Sequence, residues 1–134
     1  MSDYRIKTTD LMKEVMGTYF KGLESGEKKI AWCTSVGPAE LLRSFGFEVY
    51  FPENHGALLG ATRTAMDHIP EAVKCGYSGH ICSYTTADIG SFLKNETPLQ
   101  KHYGLKGAPK PDLIAYNTNQ CREVEDWFTF YADH

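Results

Sequence analysis

Short apolar runs alternate with helical patterns along this sequence, and this alternation limits its possible folds more than any other feature. Residues 29–34 and residues 47–51 are apolar runs, and residues 39–45 between them carry a helical pattern. Pro38 stands where a helix commonly begins, and Gly46 stands where one commonly ends. The three segments therefore predict a β-α-β unit. Because this unit joins parallel strands, we predict the α/β fold class.

Further patterns extend the unit to a three-layer domain of the Rossmann or flavodoxin-like kind, with about four parallel strands and helices on both faces of the sheet. We predict a very short strand at His80 and Ile81, and a buried strand over residues 113–116. Residues 97–111 are rich in proline and glycine, which predicts a long surface connection. Helical spacing predicts four more helices, over residues 4–23, 61–74 with a kink or break at Pro70, 84–93 and 122–132.

Length and composition set the broad class of the protein. The 134 residues are expected to form one domain, with an N-terminal helix and turn in residues 1–27 and the main body in residues 28–134. The net charge of -3 comes without a long basic run, which argues against a nucleic-acid partner. No apolar stretch approaches the roughly 20 residues that span a bilayer, and no signal peptide is apparent. We therefore expect no membrane partner and a cytoplasmic location.

Thiol and polar side chains follow each predicted strand, where the ligand crevice of a parallel sheet lies. They are Cys33, Thr34, Ser35 and Glu40, then Glu53, Asn54 and His55, then Cys82, Ser83 and Tyr84, and finally Asn117, Asn119, Gln120 and Cys121. Three of the four cysteines thus fall at one sheet edge, and Cys75 does not. Several thiolates together suit a metal or an iron-sulfur cluster. The alternative is that these thiols are small buried hydrophobic groups.

Four segments carry a family resemblance in their order and spacing. They are residues 37–42 (GPAELL), 52–57 (PENHGA), 81–90 (ICSYTTADIG) and 111–121 (PDLIAYNTNQC). Together they resemble the N-terminal domain of the benzoyl-CoA reductase and 2-hydroxyacyl-CoA dehydratase D-component family. The resemblance runs from about Lys29 to the C-terminus.

The resemblance implies a component of a heterodimeric enzyme. In this family each subunit carries two similar α/β domains and a 4Fe-4S cluster held by three cysteines. The substrates are CoA thioesters, and a separate ATP-dependent iron-sulfur activator protein supplies single electrons at very low potential. The resemblance therefore implies that the chain forms part of a cluster site in an acyl-CoA reductase or a 2-hydroxyacyl-CoA dehydratase. It also implies that the chain is not active alone.

Residue by residue, Cys82 and Cys121 match the family's ligand positions in its N-terminal domain. The third ligand would come from a second domain, which we expect to be absent from this chain. Either another homologous subunit completes the site, Cys33 substitutes, or the chain is a fragment. The resemblance also makes Asn119 and Gln120 candidates for hydrogen bonds to cluster sulfurs, although both also fit turn and N-cap chemistry.

His55 and Glu40 are the candidate catalytic residues. His55 is a candidate to donate a proton or a hydrogen bond to a thioester oxygen, because imidazole titrates near neutral pH. The alternative is a histidine that is bonded only to nearby protein groups. Glu40 is either part of the active site or a complement to the dipole of its helix.

Two other functions stay open. The first is a non-catalytic assembly module that docks on a full-length family member through its aromatic C-terminal helix. The aromatic residues of that helix are either core residues or a docking face: Trp127, Phe128, Phe130 and Tyr131. The second is a flavodoxin-like domain that binds a phosphate-bearing molecule. A glycine-rich fingerprint is missing after the first strand, and Pro38 removes a backbone donor there, so the second is disfavoured.

Overall fold

Seven helices and three strands make up the part of the chain that the computed structural model describes, residues 7–134. In chain order they are α1 (Thr8–Ser25), β1 (Ile30–Cys33), α2 (Ala39–Ser44), β2 (Glu48–Tyr50), α3 (Pro52–Ala61), α4 (Ala65–Lys74), α5 (Ser83–Lys94), α6 (Leu99–Tyr103), β3 (Leu113–Ala115) and α7 (Arg122–Asp133). The α/β class is confirmed. Within these residues, no helix combines the length and the apolar character needed to cross a membrane.

The sheet is parallel, with strand order β2-β1-β3. Its central strand β1 is fully buried, and Ala31 pairs with Val49 on one side and with Leu113 on the other. β3 confirms the strand that was predicted over residues 113–116. It is an edge strand and Leu113 is 40% exposed, so the prediction that this strand is buried is wrong. The chain passes from β1 to β2 on one side of the sheet and reaches β3 on the other side. The ends of β1 and β3 therefore flank the point where the strand order reverses.

The predicted strand at His80 and Ile81 is wrong. These residues lie in a turn, where the backbone N–H of His80 donates to Ser78 Oγ at 3.2 Å and that of Ile81 donates to the Ser78 carbonyl at 3.4 Å. The turn leads directly into α5, which leaves too little chain for a strand. The sheet of residues 7–134 consequently has three strands, and the fourth predicted strand is not found there. Cys82, Ser83 and Tyr84 therefore follow a turn and not the end of a strand.

The predicted helices are mostly confirmed, with two additions. α1, α2, α4, α5 and α7 occur where the helical spacing placed them, although the predicted start of the first helix at residue 4 lies outside the described residues. α4 continues through Pro70 without a break. α3 was not predicted, because Glu53, Asn54 and His55 were expected in a loop after the second strand. α6 interrupts the predicted surface connection, and the burial of Leu99 and Leu105 attaches that segment to the core.

Two hydrophobic clusters cover the two faces of the sheet, because successive strand residues point to opposite sides. Trp32 and Tyr50 face the larger cluster, while Ala31, Cys33 and Val49 face the smaller one beside α2. The aromatic residues of α7 belong to the larger cluster, where all four are buried: Trp127, Phe128, Phe130 and Tyr131. The prediction that they belong to the core is confirmed, and the alternative of a docking face made by these side chains is wrong.

Candidate functional site

Glu53, in the first turn of α3, connects the loops that follow β1 and β3. Its carboxylate accepts a hydrogen bond from the backbone N–H of Ser35, and a second from Gln120 Nε2 at 3.1 Å. Ser35 Oγ also donates to Asn54 Oδ1 at 3.2 Å. The carboxyl ends of all three strands therefore meet at the start of α3, as the parallel sheet predicts.

The start of α5 packs against the same end of α3. A Cβ atom on Gly56 would lie 2.8 Å from the carbonyl oxygen of Tyr84, so only a glycine allows the two backbones to approach this closely. Tyr84 is two residues beyond Cys82. Glu53 and Gly56 are three residues apart and hence neighbours on one helix surface. One turn of α3 therefore contacts the chain near both cysteines. Gly56 packs against α5, which begins after Cys82, and Glu53 bonds to Gln120, which precedes Cys121.

Cys82 and Cys121 occupy equivalent positions on their helices. Cys82 is the N-cap residue of α5, Cys121 is the N-cap residue of α7, and both are exposed. At a helix N-terminus the free backbone N–H groups and the helix dipole favour negative charge, which includes a thiolate. Each helix has 12 residues, long enough for this effect. These two positions suit cysteines that bind a positively charged or electron-poor centre.

The other two cysteines have different surroundings. Cys33 is completely buried at the end of β1, and a Cβ atom on Gly37 would come within 2.5 Å of its Sγ. Burial, followed by the negative charges of Glu40 and Glu53, raises the pKa of the Cys33 thiol. The thiolate form that binds metal is therefore disfavoured at Cys33. Cys75 is exposed at the C-terminal end of α4, away from the helix starts.

The donor set at this edge fits part of an iron-sulfur site. Cys82 and Cys121 offer two exposed sulfur ligands at helix N-termini, which is the ligand type that clusters use. Within residues 7–134, no group of three or more His, Cys, Asp or Glu side chains is arranged to hold a metal ion. A cluster at these two thiols would need at least one more ligand from outside the described residues.

The predicted amide residues lie in the loop between β3 and α7. Asn117 Nδ2 donates a hydrogen bond to the Val36 carbonyl at 3.1 Å. Gln120 Nε2 donates one to the Glu53 carboxylate, also at 3.1 Å. Because the partners can only accept hydrogen bonds, both amide groups have a defined orientation. The opposite amide oxygens are buried and find no partner in residues 7–134. Asn119 is exposed beside Cys121, and Glu40 is exposed in the first turn of α2.

His55 is buried, and both of its ring nitrogens contact protein groups. Nδ1 pairs with Asp88 Oδ1, and Nε2 lies 2.7 Å from Thr97 Oγ1. Asp88 Oδ2 in turn accepts a hydrogen bond from the hydroxyl of Tyr131, which accepts one from Trp127 Nε1 at 2.9 Å. These five side chains form one continuous buried network, which we call the Asp88 network. It joins α3, α5 and α7 with the chain before α6.

The hydrogens of the Asp88 network follow from its end groups. The indole of Trp127 can only donate, so the Tyr131 hydroxyl must give its hydrogen to Asp88. Thr97 Oγ1 accepts from the backbone N–H of Leu99 at 3.2 Å and keeps both its own hydrogen and a second lone pair for the contact with His55 Nε2. His55 Nδ1 and the Tyr131 hydroxyl thus meet the Asp88 carboxylate at its two different oxygens. Burial, followed by the charge of Asp88, raises the pKa of Tyr131 well above its usual value, in agreement with this arrangement.

A cavity of about 750 Å³ lies beside β2 and reaches the candidate site. Its walls are mostly apolar and come from α1, β2, α3 and α6; among them are Val15, Met16, Tyr19, Phe47, Phe51 and Leu58. His55 and Asn54 line the end near the start of α3. The charged residues of the lining are Lys28, Arg43 and Glu48, and Lys28 Nζ pairs with Glu48 Oε1 at 2.8 Å. The volume and the lining are those of a small-molecule pocket.

Sequence reasoning missed Asp88, Thr97 and the structural part played by Glu53. A signal for Asp88 was present, since it is the only charged residue in the segment Thr85–Ser91, and all of that segment is buried. A charged residue inside a buried helix needs partners. The sequence offers no comparable signal for the identity of those partners.

The fold is an α/β domain with a small parallel sheet, and polar side chains from the loops after β1 and β3 meet the start of α3 at the carboxyl ends of the strands. The sequence matches the family described as 2-hydroxyglutaryl-CoA dehydratase, D-component, over residues 34–134. The chain belongs to this family, which confirms the resemblance.

Curated relatives extend the comparison. The chain is 36% identical over 120 residues to the (R)-2-hydroxyglutaryl-CoA dehydratase alpha subunit of Acidaminococcus fermentans, covering 87% of this chain and 23% of the relative. It is 30% identical over 126 residues to the (R)-2-hydroxyisocaproyl-CoA dehydratase alpha subunit of Clostridioides difficile, covering 92% and 29%. A benzoyl-CoA reductase subunit of Thauera aromatica is 28% identical over 130 residues, covering 92% and 29%. The chain thus spans about a quarter of the length of these relatives.

Proposed function

We propose that this chain contributes part of a 4Fe-4S cluster site to an acyl-CoA reductase or a 2-hydroxyacyl-CoA dehydratase. One observation carries the proposal: Cys82 and Cys121 precede two helices, and both approach the first turns of α3, Cys82 through the packing of α5 and Cys121 through the bond of its neighbour Gln120 to Glu53. The names of the relatives, which are dehydratase and benzoyl-CoA reductase subunits, support this enzyme class.

Each part of the site has a proposed task. Cys82 and Cys121 would ligate the cluster as thiolates, and the N-termini of α5 and α7 would offset its negative charge. When bound, the cluster would supply one-electron transfer at low potential. Gln120 has a second amide hydrogen free to donate toward a cluster sulfur, and exposed Asn119 has the same chemistry. Cys33 would support this edge from the core, because its thiol is buried and its pKa is raised.

The proposed partners follow from the incomplete ligand set. A second domain or a homologous catalytic subunit would provide the missing ligand, and an ATP-dependent iron-sulfur activator protein would deliver electrons. A CoA thioester would be the substrate, and the apolar cavity beside His55 would suit its acyl group. The proposed location is the cytoplasm, where thiolate ligands stay reduced.

His55 and Glu40 remain the proposed catalytic residues. His55 lines the cavity, but both ring nitrogens are bonded, so proton donation to a thioester oxygen requires the bond to Thr97 to open. Glu40 is exposed at the start of α2, near enough to the site for its charge to affect Cys33.

A second candidate is the non-catalytic assembly module. The aromatic residues of α7 are buried, so docking would use another surface. Leu11, Met12 and Val15 on α1 are each about half exposed and form an apolar stripe, which is the observation that favours this candidate.

The deciding experiment is anaerobic purification of the chain together with a homologous subunit, followed by iron and acid-labile sulfide analysis. We expect more iron than the partner subunit contains when it is purified alone, and we expect this excess to be lost in Cys82→Ala and in Cys121→Ala, with Cys75→Ala as the matched control that keeps it. A complex that contains no more iron than the partner alone would contradict the cluster proposal and favour the assembly module.

A further inference from the structure

The carboxylate of Asp88 is the point at which three helices of the site are joined. It lies on α5, is 3% exposed, and receives hydrogen bonds from His55 on α3 and Tyr131 on α7. α5 begins just after Cys82 and α7 begins just after Cys121. A single side chain therefore connects the two helices that present the candidate thiols, and also connects both of them to α3 through His55.

Apolar packing alone does not fix the register of these helices. Phe92 on α5 packs edge to face against Tyr131 and Phe130 on α7, with ring centroids 5.1 and 6.2 Å apart. Such contacts tolerate small sliding motions, whereas a hydrogen bond to a buried carboxylate weakens steeply with distance and angle. Asp88 lies six residues after Cys82, about 9 Å along the helix axis, and is closer to the thiol than Phe92 is.

We infer that Asp88 is a positioning residue, which holds α5 and α7 in the register that brings Cys82 and Cys121 together. This inference rests on the proposed function, since it concerns the same pair of thiols. Asp88 touches neither thiol and acts through the two helices. Without its carboxylate, the His55 ring and the Tyr131 hydroxyl would be left buried with lost partners, and the helices would settle in a different register.

The test measures whether two thiols can be bridged, which requires neither iron nor a partner subunit. In a Cys75→Ser background, Cys82 and Cys121 are the exposed cysteines and Cys33 is buried. Dibromobimane becomes fluorescent once both of its arms have alkylated thiols, so its fluorescence reports bridging. Monobromobimane reports the reactivity of each thiol separately.

Asp88→Ala should slow bridging at least about tenfold while leaving single alkylation unchanged, because small misplacements cost large factors in rate. Asp88→Asn should restore most of the rate, because its amide oxygen accepts from Tyr131 and its amide nitrogen can donate to the other tautomer of His55. Should Asp88→Ala fail to fold, Tyr131→Phe removes the link between α5 and α7, together with the acceptor of Trp127 Nε1 on the same helix, and should slow bridging as well.

Ser91→Ala is the matched control. Ser91 is buried on the same helix, but its hydroxyl bonds to the nearby Glu96 carbonyl and joins no other helix. The Ser91→Ala variant should react with dibromobimane at the same bridging rate as the Cys75→Ser background. Unchanged bridging in Asp88→Ala or Tyr131→Phe, or equal slowing in Ser91→Ala, would overturn the positioning role alone. Failure of the background itself to bridge, with both thiols reactive, would overturn the proposed paired site.

Discussion

Glu53 and Gln120 are joined by a hydrogen bond of 3.1 Å between the side-chain amide of Gln120 and the carboxylate of Glu53. Gln120 immediately precedes Cys121, and Glu53 also accepts the backbone N–H of Ser35. The bond ties the loop that carries a candidate ligand, after β3, to the helix that follows β2 at the opposite edge of the sheet. The position of Cys121 therefore depends on a contact between residues 67 apart in the chain.

Glu53→Ala should loosen this loop. It removes the acceptor for Ser35 N–H and for Gln120, and both bonds are at least partly exposed, so we expect a loss of about 1 kcal/mol in the free energy of unfolding. Amide hydrogen exchange should become faster in residues 116–121. Glu27→Ala, at an exposed acid in a turn, serves as the control and should change neither quantity. Equal exchange rates in the two variants would contradict the account of this loop.

Gly90→Ala should be among the most damaging single-methyl changes. A Cβ atom at this position would lie 2.0 Å from the His68 carbonyl oxygen, so α4 and α5 would have to separate. We expect a loss of about 3 kcal/mol or more, measured by urea unfolding. Gly17→Ala in α1 has no atom within 4 Å of the new Cβ and should instead stabilise the protein by about 0.5–1 kcal/mol. Similar effects of the two changes would contradict the packing of α4 on α5.

Tyr50→Phe should change the alkaline stability more than the stability at neutral pH. The Tyr50 hydroxyl is buried without a partner in residues 7–134, so its removal should be nearly neutral or stabilising at pH 7. Burial, and then the charge of Asp88, raises the pKa of Tyr50 well above its usual value. Above about pH 10 the unfolded chain therefore loses a proton that the folded chain retains, and stability falls by roughly 1.4 kcal/mol per pH unit for each such tyrosine.

That alkaline loss should be smaller in Tyr50→Phe than in the unmodified chain. Tyr131, whose pKa is also raised, continues to contribute in both. Urea unfolding at pH 8 and at pH 11 gives the comparison. Equal losses in the free energy of unfolding of the two proteins would show that Tyr50 ionises equally well in the folded and unfolded states. That result would contradict the burial of its hydroxyl.

His55→Ala should lower the free energy of unfolding by about 2–4 kcal/mol, because it removes a hydrogen-bond partner from a buried carboxylate. His80→Ala, at an exposed histidine in a turn, should change it by less than about 0.5 kcal/mol. A small effect at His55 would mean that Asp88 is satisfied without it. In that case the His55 ring would be available to act on a substrate.

Periodicity and turn residues were sufficient to predict most of this fold. The β-α-β unit around Pro38 and Gly46, and the amphipathic α7, follow from local patterns that the structure retains. α3 was missed because its buried positions include His55 and Gly56 as well as Leu59, so no apolar stripe marks its inner face. Pro52 at its first position was the available signal.

The site was less accessible to sequence reasoning than the fold. Cys82 and Cys121 were recognised through family motifs, and their equivalent N-cap positions became visible only in the structure. The pairing of His55 with Asp88 joins residues 33 apart, and the sequence contains no pattern for such a contact. Hydrogen bonds between distant side chains depend on how helices pack, which local propensity does not encode.

The most direct test of this account is the separation of Cys82 and Cys121 in the folded chain. Nitroxide labels placed on both thiols in a Cys75→Ser background should show dipolar broadening of the continuous-wave EPR spectrum, relative to the sum of the two singly labelled proteins. This broadening requires the two labels to be close together. A doubly labelled spectrum equal to that sum would place the thiols in separate regions and contradict a shared iron-sulfur site.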